Sequence, residues 1–225
     1  MNLKEQVGYK ALDFVKDGMV VGLGTGSTVY YFIHAIAEKV KEGLNVELVS
    51  TSVQSIELAK SLGLNVKELE EVEHIDLTVD GVDEIDKNFN AIKGGGAALF
   101  REKIVADLSE HVVWIYDESK DVEELGAFNL PVEILPFAYT HTINKMKKQG
   151  LNPVLRYKNE EILITDNKNY IVDLHLDLGF DIEIVKEKLA NIVGVVEHGL
   201  FLNMCKHCIK GTPAGAIVIE NPRKK

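Results

Sequence analysis

The chain reads as an α/β protein, with a mostly parallel sheet covered by helices on both faces and a smaller α+β segment. Three observations predict this. In the first half, short apolar strand patterns alternate with helical patterns, as expected of parallel strands joined by crossover helices. Near Leu130-Pro131 the pattern changes to short strands of antiparallel character set between helices. A last apolar run, Ala216 to Glu220, can return as a strand to the first region.

Taken in order, Met1 to Phe14 mixes Lys4, Glu5, Lys10 and Asp13 with apolar residues, which predicts an amphipathic helix and not the apolar core of a signal peptide. A strand over Met19 to Leu23, a helix over Thr28 to Lys41, a strand over Val46 to Val49 and a helix over Val53 to Leu62 follow. Leu77 to Val79 and Val112 to Tyr116 are the next strands, with a helix from Ala97 to Leu108 between them. Beyond Leu130 the pattern predicts a helix over Tyr139 to Gln149 and short strands around Val154, Ile162 and Ile171. A helix over Asp181 to Ala190, a strand over Val193 to Glu197 and a turn at Gly211 to Gly215 complete the series. The expected domains are residues 1–130 with 206–225, and residues 131–205.

Bulk properties narrow the function. The 225 residues carry a formal net charge of -10, which disfavours nucleic acid and anionic lipid as partners. The apolar runs are far shorter than a membrane span. With only two cysteines and no export signal, the expected compartment is the cytoplasm. A small anionic substrate would need a local cluster of cations and backbone donors.

The first such cluster is Gly22-Leu23-Gly24-Thr25-Gly26-Ser27-Thr28, between a strand and a helix. Glycines admit close backbone approach, and a helix N-terminus offers free N–H groups to an anion. Ser27 or Thr28 could cap the helix, and a tight capped turn would read the same way. A dinucleotide site fits less well: it expects Gly in place of Ser27 and an acidic residue after the second strand, where Ser50-Thr51-Ser52 stands.

The second is Asp80-Gly81-Val82-Asp83-Glu84, at the end of a strand. Three carboxylates so close suit acid/base work or a cation, or simply a solvated turn. The spacing of an EF-hand is missing. The third runs from Lys93 through Gly94, Gly95 and Gly96 to Arg101-Glu102-Lys103. It is an exposed backbone loop with a cation, opening a helix. Ala98, Val105 and Ala106 share the helix face of Glu102, and partial burial there would suit a general base; taken without the neighbouring glycines, an exposed Glu in the Arg-Glu-Lys charge cluster is the stronger reading. Lys120, in Asp117-Glu118-Ser119-Lys120, adds a lysine at the same sheet edge. Cys205-Lys206-His207-Cys208, with His198 nearby, can bind zinc or form a redox pair, but it has too few partners for a structural zinc site, and packing is its ordinary role.

Together these segments resemble the type A ribose-5-phosphate isomerases. The matching residues are Gly24 to Thr28, Asp80 to Glu84, Lys93 to Ala98 with Arg101-Glu102-Lys103, and Glu118-Ser119-Lys120. Leu130-Pro131-Val132-Glu133, Gly194 to Phe201 and Gly211-Thr212-Pro213 also match, so the resemblance spans nearly the whole chain. It implies a Rossmann-like domain carrying a smaller inserted domain, no metal and no organic cofactor, and a homodimer or homotetramer. The implied reaction interconverts D-ribose 5-phosphate and D-ribulose 5-phosphate in the non-oxidative pentose phosphate pathway, through a cis-enediolate. The implied catalytic set is Glu102 as proton carrier, Lys93 at the enediolate oxygen, and Asp80 and Asp83 at hydroxyls. Thr25, Gly26, Ser27, Thr28, Gly81, Val82, Gly94, Gly95, Gly96 and Lys120 would bind the sugar phosphate, with Lys4 a weaker phosphate contact. Val82 replaces a common alanine, Asn129 a frequent proline, and Met204 to Cys208 departs from the family pattern. A non-catalytic sugar-phosphate sensor and an acyl-CoA transferase are the rival readings. The first would bind without turnover and the second would form a covalent adduct.

Overall fold

Val20–Leu23 is buried at every position, as a strand covered on both faces must be. In the computed structural model, which describes residues 2–224, it lies inside a six-stranded sheet. The order across that sheet is Gly215–Glu220, His207–Thr212, Ser109–Asp117, Ile75–Gly81, Val20–Leu23, Glu47–Ser50. All neighbours are parallel except the first pair, a hairpin in which Thr212 faces Gly215. From Val20–Leu23 the chain moves to one side of the sheet, and from Ile75–Gly81 to the other. The carboxyl ends of these two adjacent strands therefore form a topological switch point, where open α/β sheets bind ligands.

Close contacts divide the chain into two units. The first runs to Val82 and adds Arg101–Lys120 and the segment from Asn203 on. Its core joins Val21, Leu23, Val79, Val113 and Ile115 of the sheet to Phe32, Ile33 and Ile36 of the helix Val29–Lys41. The helix Leu3–Lys10 belongs here, started by a capping box in which Asn2 and Glu5 bond each other's backbone N–H. It gives way to a 3-10 turn over Ala11–Phe14, so the predicted helix is shorter than its pattern, and Met1 lies outside the described residues.

The second unit comprises Asp83–Phe100 and Asp121–Leu202. One four-stranded antiparallel sheet orders Val195–His198, Leu130–Ile134, Tyr170–Leu174 and Pro153–Leu155. The helices Tyr139–Lys148 and Ile182–Ala190 contribute Met146, Val185 and Leu189 to the unit's core with Val132, Ile134 and Val172. A second sheet orders Leu200–Leu202, Asn90–Ile92, Glu84–Asp86 and Asp121–Val122.

This division differs from the expected domains: residues 83–100 and 121–130 group with the second unit, and 203–205 with the first. The reason is pairing over long sequence separations. Asn90–Ile92 pairs with Leu200–Leu202, and the Glu84 carboxylate accepts the N–H groups of Gly126 and Phe128 at 3.0 and 2.7 Å. Two local expectations also shift. The helix Leu99–Asp107 starts after Ala97, which sits at a left-handed φ of 60° and cannot be helical. The Gly211 to Gly215 turn shrinks to Pro213-Ala214, because its outer residues extend the hairpin strands.

No helix of the described residues is long and apolar enough to cross a membrane. Cys205 and Cys208 are buried free thiols, with Sγ atoms 3.7 Å apart. Asn221, fully buried, pins that segment by donating to Asn203 Oδ1 and the Cys205 carbonyl, both at 2.9 Å.

Candidate active site

At the switch point, the strand Val20–Leu23 runs into Gly24, and the adjacent strand ends with Asp80-Gly81. Asp80 is only 2% exposed, and its Oδ1 accepts the N–H of Thr25 at 2.9 Å and of Gly81 at 2.8 Å. Position 24 must be glycine: a Cβ there would lie 2.1 Å from Asp80 Oδ1 and 2.6 Å from Asp80 Cα. Below the loop a ring of buried hydroxyls sets its shape. Thr25 Oγ1 donates to Ser52 Oγ at 2.8 Å, Ser52 to Ser55 Oγ at 3.1 Å, and Ser55 to the Gly24 carbonyl at 2.7 Å. Thr51 Oγ1 lies 2.7 Å from Thr25 Oγ1.

Gly26 and Ser27 remain exposed at the loop's tip. Thr28 takes the N-cap position of the following helix without a side-chain cap bond, and Ser27 makes none either; Ser27 Oγ instead accepts from Lys4 Nζ at 2.8 Å. Lys120 closes a 3-10 turn after the strand Ser109–Asp117. Burial pushes the Asp117 carboxyl up, but hydrogen bonds from the Ser119 side chain and backbone, with the charges of Lys120 and Lys4, outweigh it and hold the pKa low. Two lysines, a hydroxyl and free loop N–H groups at a helix start are chemistry for a phosphate-like anion.

Glu102 sits on the helix Leu99–Asp107, 3% exposed, on the face shared with buried Val105 and Ala106, while Ala98, also buried, falls just before the helix. A carboxylate placed there is shielded from bulk water, which suits proton transfer to and from carbon.

Val82, also of the expected set, is buried at the end of a first-unit segment, and the second unit holds Asp83, Lys93 and Gly94 to Gly96. Lys93 follows Ile92 on the strand Asn90–Ile92, 3% exposed, its Nζ 5.2 Å from the Phe201 ring centroid. The aromatic face offers partial compensation for a buried cation. Gly94 then takes a φ of 106°, reserved in practice for glycine, and its carbonyl accepts the Ala97 N–H at 3.0 Å. The Gly95 N–H donates to Asp83 Oδ2 at 2.7 Å, and Gly95 and Gly96 are exposed. Behind the loop stands Arg156, bonded to Asp173 and to the carbonyls of Gly94 and Gly95.

The comparisons with known proteins fit this arrangement. The family model of ribose 5-phosphate isomerase A (phosphoriboisomerase A) matches residues 47–215. The ribose-5-phosphate isomerase A of Lactiplantibacillus plantarum is 52% identical over 219 residues, 97% of this chain and 96% of that one. This chain belongs to the ribose 5-phosphate isomerase A family. Among solved members of the family, the Plasmodium falciparum enzyme superposes with a TM-score of 0.92 at 40% identity, covering 98% of both chains. A second, solved in complex with phospho-erythronic acid, superposes equally well at 37% identity, over 98% of this chain and 100% of that one. The α/β fold expected from the sequence is thus the fold of the isomerase A family.

Set against the isomerase A motifs, the sequence left three features unseen. Glu84, the third carboxylate of the acidic run, is a buried structural acceptor. Thr51, Ser52 and Ser55 shape the first loop, although the sequence marked Ser50 to Ser52 only by the absence of an acid. Arg156 carries no local signal at all, since it lies outside every recognisable motif.

Proposed function

We propose that this isomerase interconverts D-ribose 5-phosphate and D-ribulose 5-phosphate with Glu102 as the base that moves one proton between C2 and C1. The observation that carries the assignment is a carboxylate 3% exposed on the helix that follows the Lys93 to Gly96 loop. Buried charge is costly, and the proposed chemistry gives a use to Asp80 and Glu102, buried in the first unit, and to Lys93, buried in the second.

In the forward direction Glu102 removes the C2 proton, and the electron pair forms the C1–C2 double bond of a cis-enediolate as the C1 carbonyl oxygen becomes an oxyanion. The Lys93 ammonium stabilises that developing charge, which is where electrostatic catalysis gains most. The proton leaves the C2 hydroxyl as the C2 carbonyl forms, and Glu102 returns its own proton to C1. Asp80 and Asp83 bind the hydroxyls, assist opening of the sugar ring and relay protons between oxygens. Thr25, Gly26, Ser27 and Thr28, with Lys120 and Lys4, take the phosphate, while Gly81 and Val82 line the sugar. Gly94, Gly95 and Gly96 form the loop that positions the sugar, with the Gly96 N–H facing its oxygens while the Gly95 N–H holds Asp83. Anchoring the remote phosphate holds the reacting carbons against the base, so that binding energy lowers the barrier. Phospho-erythronic acid, bound by a family member, combines a phosphate with a carboxylate that mimics the enediolate oxygens, and the same two anchors would take it here.

The reaction belongs to the non-oxidative pentose phosphate pathway, and the reading includes a cytoplasmic homodimer or homotetramer acting without metal or organic cofactor. Light scattering on the purified chain checks the assembly. The activity is tested by following ribulose 5-phosphate formation with EDTA present, for the wild type and Glu102→Gln. A base of this kind contributes about 10²–10⁴-fold, so the folded variant should lose at least a hundredfold. Binding without wild-type turnover would refute the isomerase reading in favour of a sensor. A fully active variant would move the base elsewhere.

A further inference from the structure

We infer that Arg156 is a positioning residue for this reaction: it holds the Gly94 and Gly95 carbonyls so that the opposite edges of the same peptides face Asp83 and the substrate. The inference rests on the isomerase reading, because it assigns Arg156 the task of shaping a loop proposed to grip the sugar.

Three consecutive glycines form the most conformationally free loop a chain can make, and two of these are exposed. Such a loop presents ordered donors only if something fixes its peptide planes. Arg156 is built for that. Its side chain is 14% exposed, and Asp173 grips it as a fork, with Nε donating to Oδ2 at 2.8 Å and Nη2 to Oδ1. The guanidinium is planar, so once the fork is seated the direction of Nη1 is set. Nη1 donates to the Gly94 carbonyl at 2.8 Å and to the Gly95 carbonyl at 3.2 Å.

The consequence lies on the far side of each peptide. No peptide bond of the described residues is cis, and in a trans peptide the C=O and N–H point in opposite directions. The Gly94 carbonyl shares its peptide with the Gly95 N–H, which donates to Asp83 Oδ2 at 2.7 Å. The Gly95 carbonyl shares its peptide with the Gly96 N–H, which is thereby turned away from Arg156. A cation on a carbonyl polarises the amide and strengthens donation from its N–H. Arg156 thus orients Asp83 and an oxygen-binding N–H without touching substrate.

Removing Arg156 alone would strand the Asp173 carboxylate and confuse folding with positioning. The informative variant is therefore Arg156→Met combined with Asp173→Asn, which leaves no orphan charge, with Arg156→Lys as the conservative partner. Each is assayed for thermal unfolding and kcat, and titrated calorimetrically with phospho-erythronic acid and with inorganic phosphate. The double variant is expected to keep the wild-type melting temperature within a few degrees and its affinity for inorganic phosphate. Its affinity for phospho-erythronic acid and its kcat should fall about tenfold to a hundredfold, the scale of a misplaced contact. Arg156→Lys should recover part of the loss, since an ammonium reaches a carbonyl but cannot keep the fork. Near wild-type kcat and phospho-erythronic acid affinity in the double variant would overturn the inference. So would a joint fall of both affinities with the melting temperature, which marks a merely structural role. If the wild type neither turns over ribose 5-phosphate nor binds phospho-erythronic acid, the isomerase reading has failed and the role of Arg156 falls with it.

Discussion

Gly24→Ala tests how tightly the Asp80 carboxylate is placed. A Cβ at this position would stand 2.6 Å from Asp80 Cα, 2.3 Å from its Cγ and 2.1 Å from Oδ1. A side-chain rotation could free the last two contacts but not the first, which is backbone. Ordinary van der Waals contact begins at 3.4 Å, so the two strand ends must separate by about 0.8 Å. Overpacking of this kind costs about 1–3 kcal/mol of stability, and at about 2–4 °C per kcal/mol for a chain of this size the melting temperature drops by several degrees. The same displacement moves Asp80 relative to the sugar it is proposed to bind. A misplacement near 1 Å costs on the order of a hundredfold, or about 2.7 kcal/mol of transition-state stabilisation. The assay is initial-rate formation of ribulose 5-phosphate at a temperature where the variant is folded by circular dichroism. Gly63→Ala is the control: it strains a positive φ, of 84°, but meets no atom within 4 Å, so it should lower stability by about 1–2 kcal/mol and leave kcat/KM alone. A folded Gly24→Ala variant with wild-type kcat/KM would refute the claim that this contact sets the position of Asp80.

Lys4→Ala removes a cation 2.8 Å from Ser27 Oγ. A solvent-accessible ion contact contributes up to about 1 kcal/mol, so KM for ribose 5-phosphate should rise about fivefold at most, with kcat unchanged and the effect shrinking as salt screens the charge. Asn221→Ala leaves the carbonyl of Cys205 and the N–H of Arg223 without the side chain that now bonds them. Urea unfolding should show a loss of about 2–4 kcal/mol, with specific activity retained where the protein is folded. For His207, burial first, then the charges of Lys206 and His111, lowers the pKa below its ordinary 6.5 against an opposing pull from Glu220. The unfolded chain then binds more protons than the folded one as pH drops through 6.5, so this contribution is complete above that pH and is lost below it. His207→Gln should flatten that part of the stability profile measured by unfolding at pH 5 to 8.

Much of the molecule was legible locally. Alternating strand and helix patterns placed the parallel sheet, because a strand buried on both faces needs an unbroken apolar run such as Val20–Leu23. The Gly24 to Thr28 and Lys93 to Gly96 loops stood out because glycine chemistry is readable one residue at a time. Glu102 stands out by the small and apolar residues spaced around it, and Val105 and Ala106 on its helix are buried with it, as is Ala98 just before the helix. The end of the Met1 to Phe14 helix and the start of the Ala97 helix were misplaced, since local backbone twists such as the positive φ of Ala97 leave no mark on apolar periodicity.

The sequence alone determined the α/β architecture, the anion-suited loops and the family resemblance, all of which rest on stereochemistry and charge within a few residues. Only the tertiary structure decided that Glu84 is a structural acceptor while Asp83 meets Gly95, that Thr51, Ser52 and Ser55 shape the first loop, and that Arg156 grips the second. Each of these is a contact between segments far apart along the chain. Such contacts depend on where the chain returns in space, and identical side chains a few residues apart carry no mark of which one a distant backbone N–H will find.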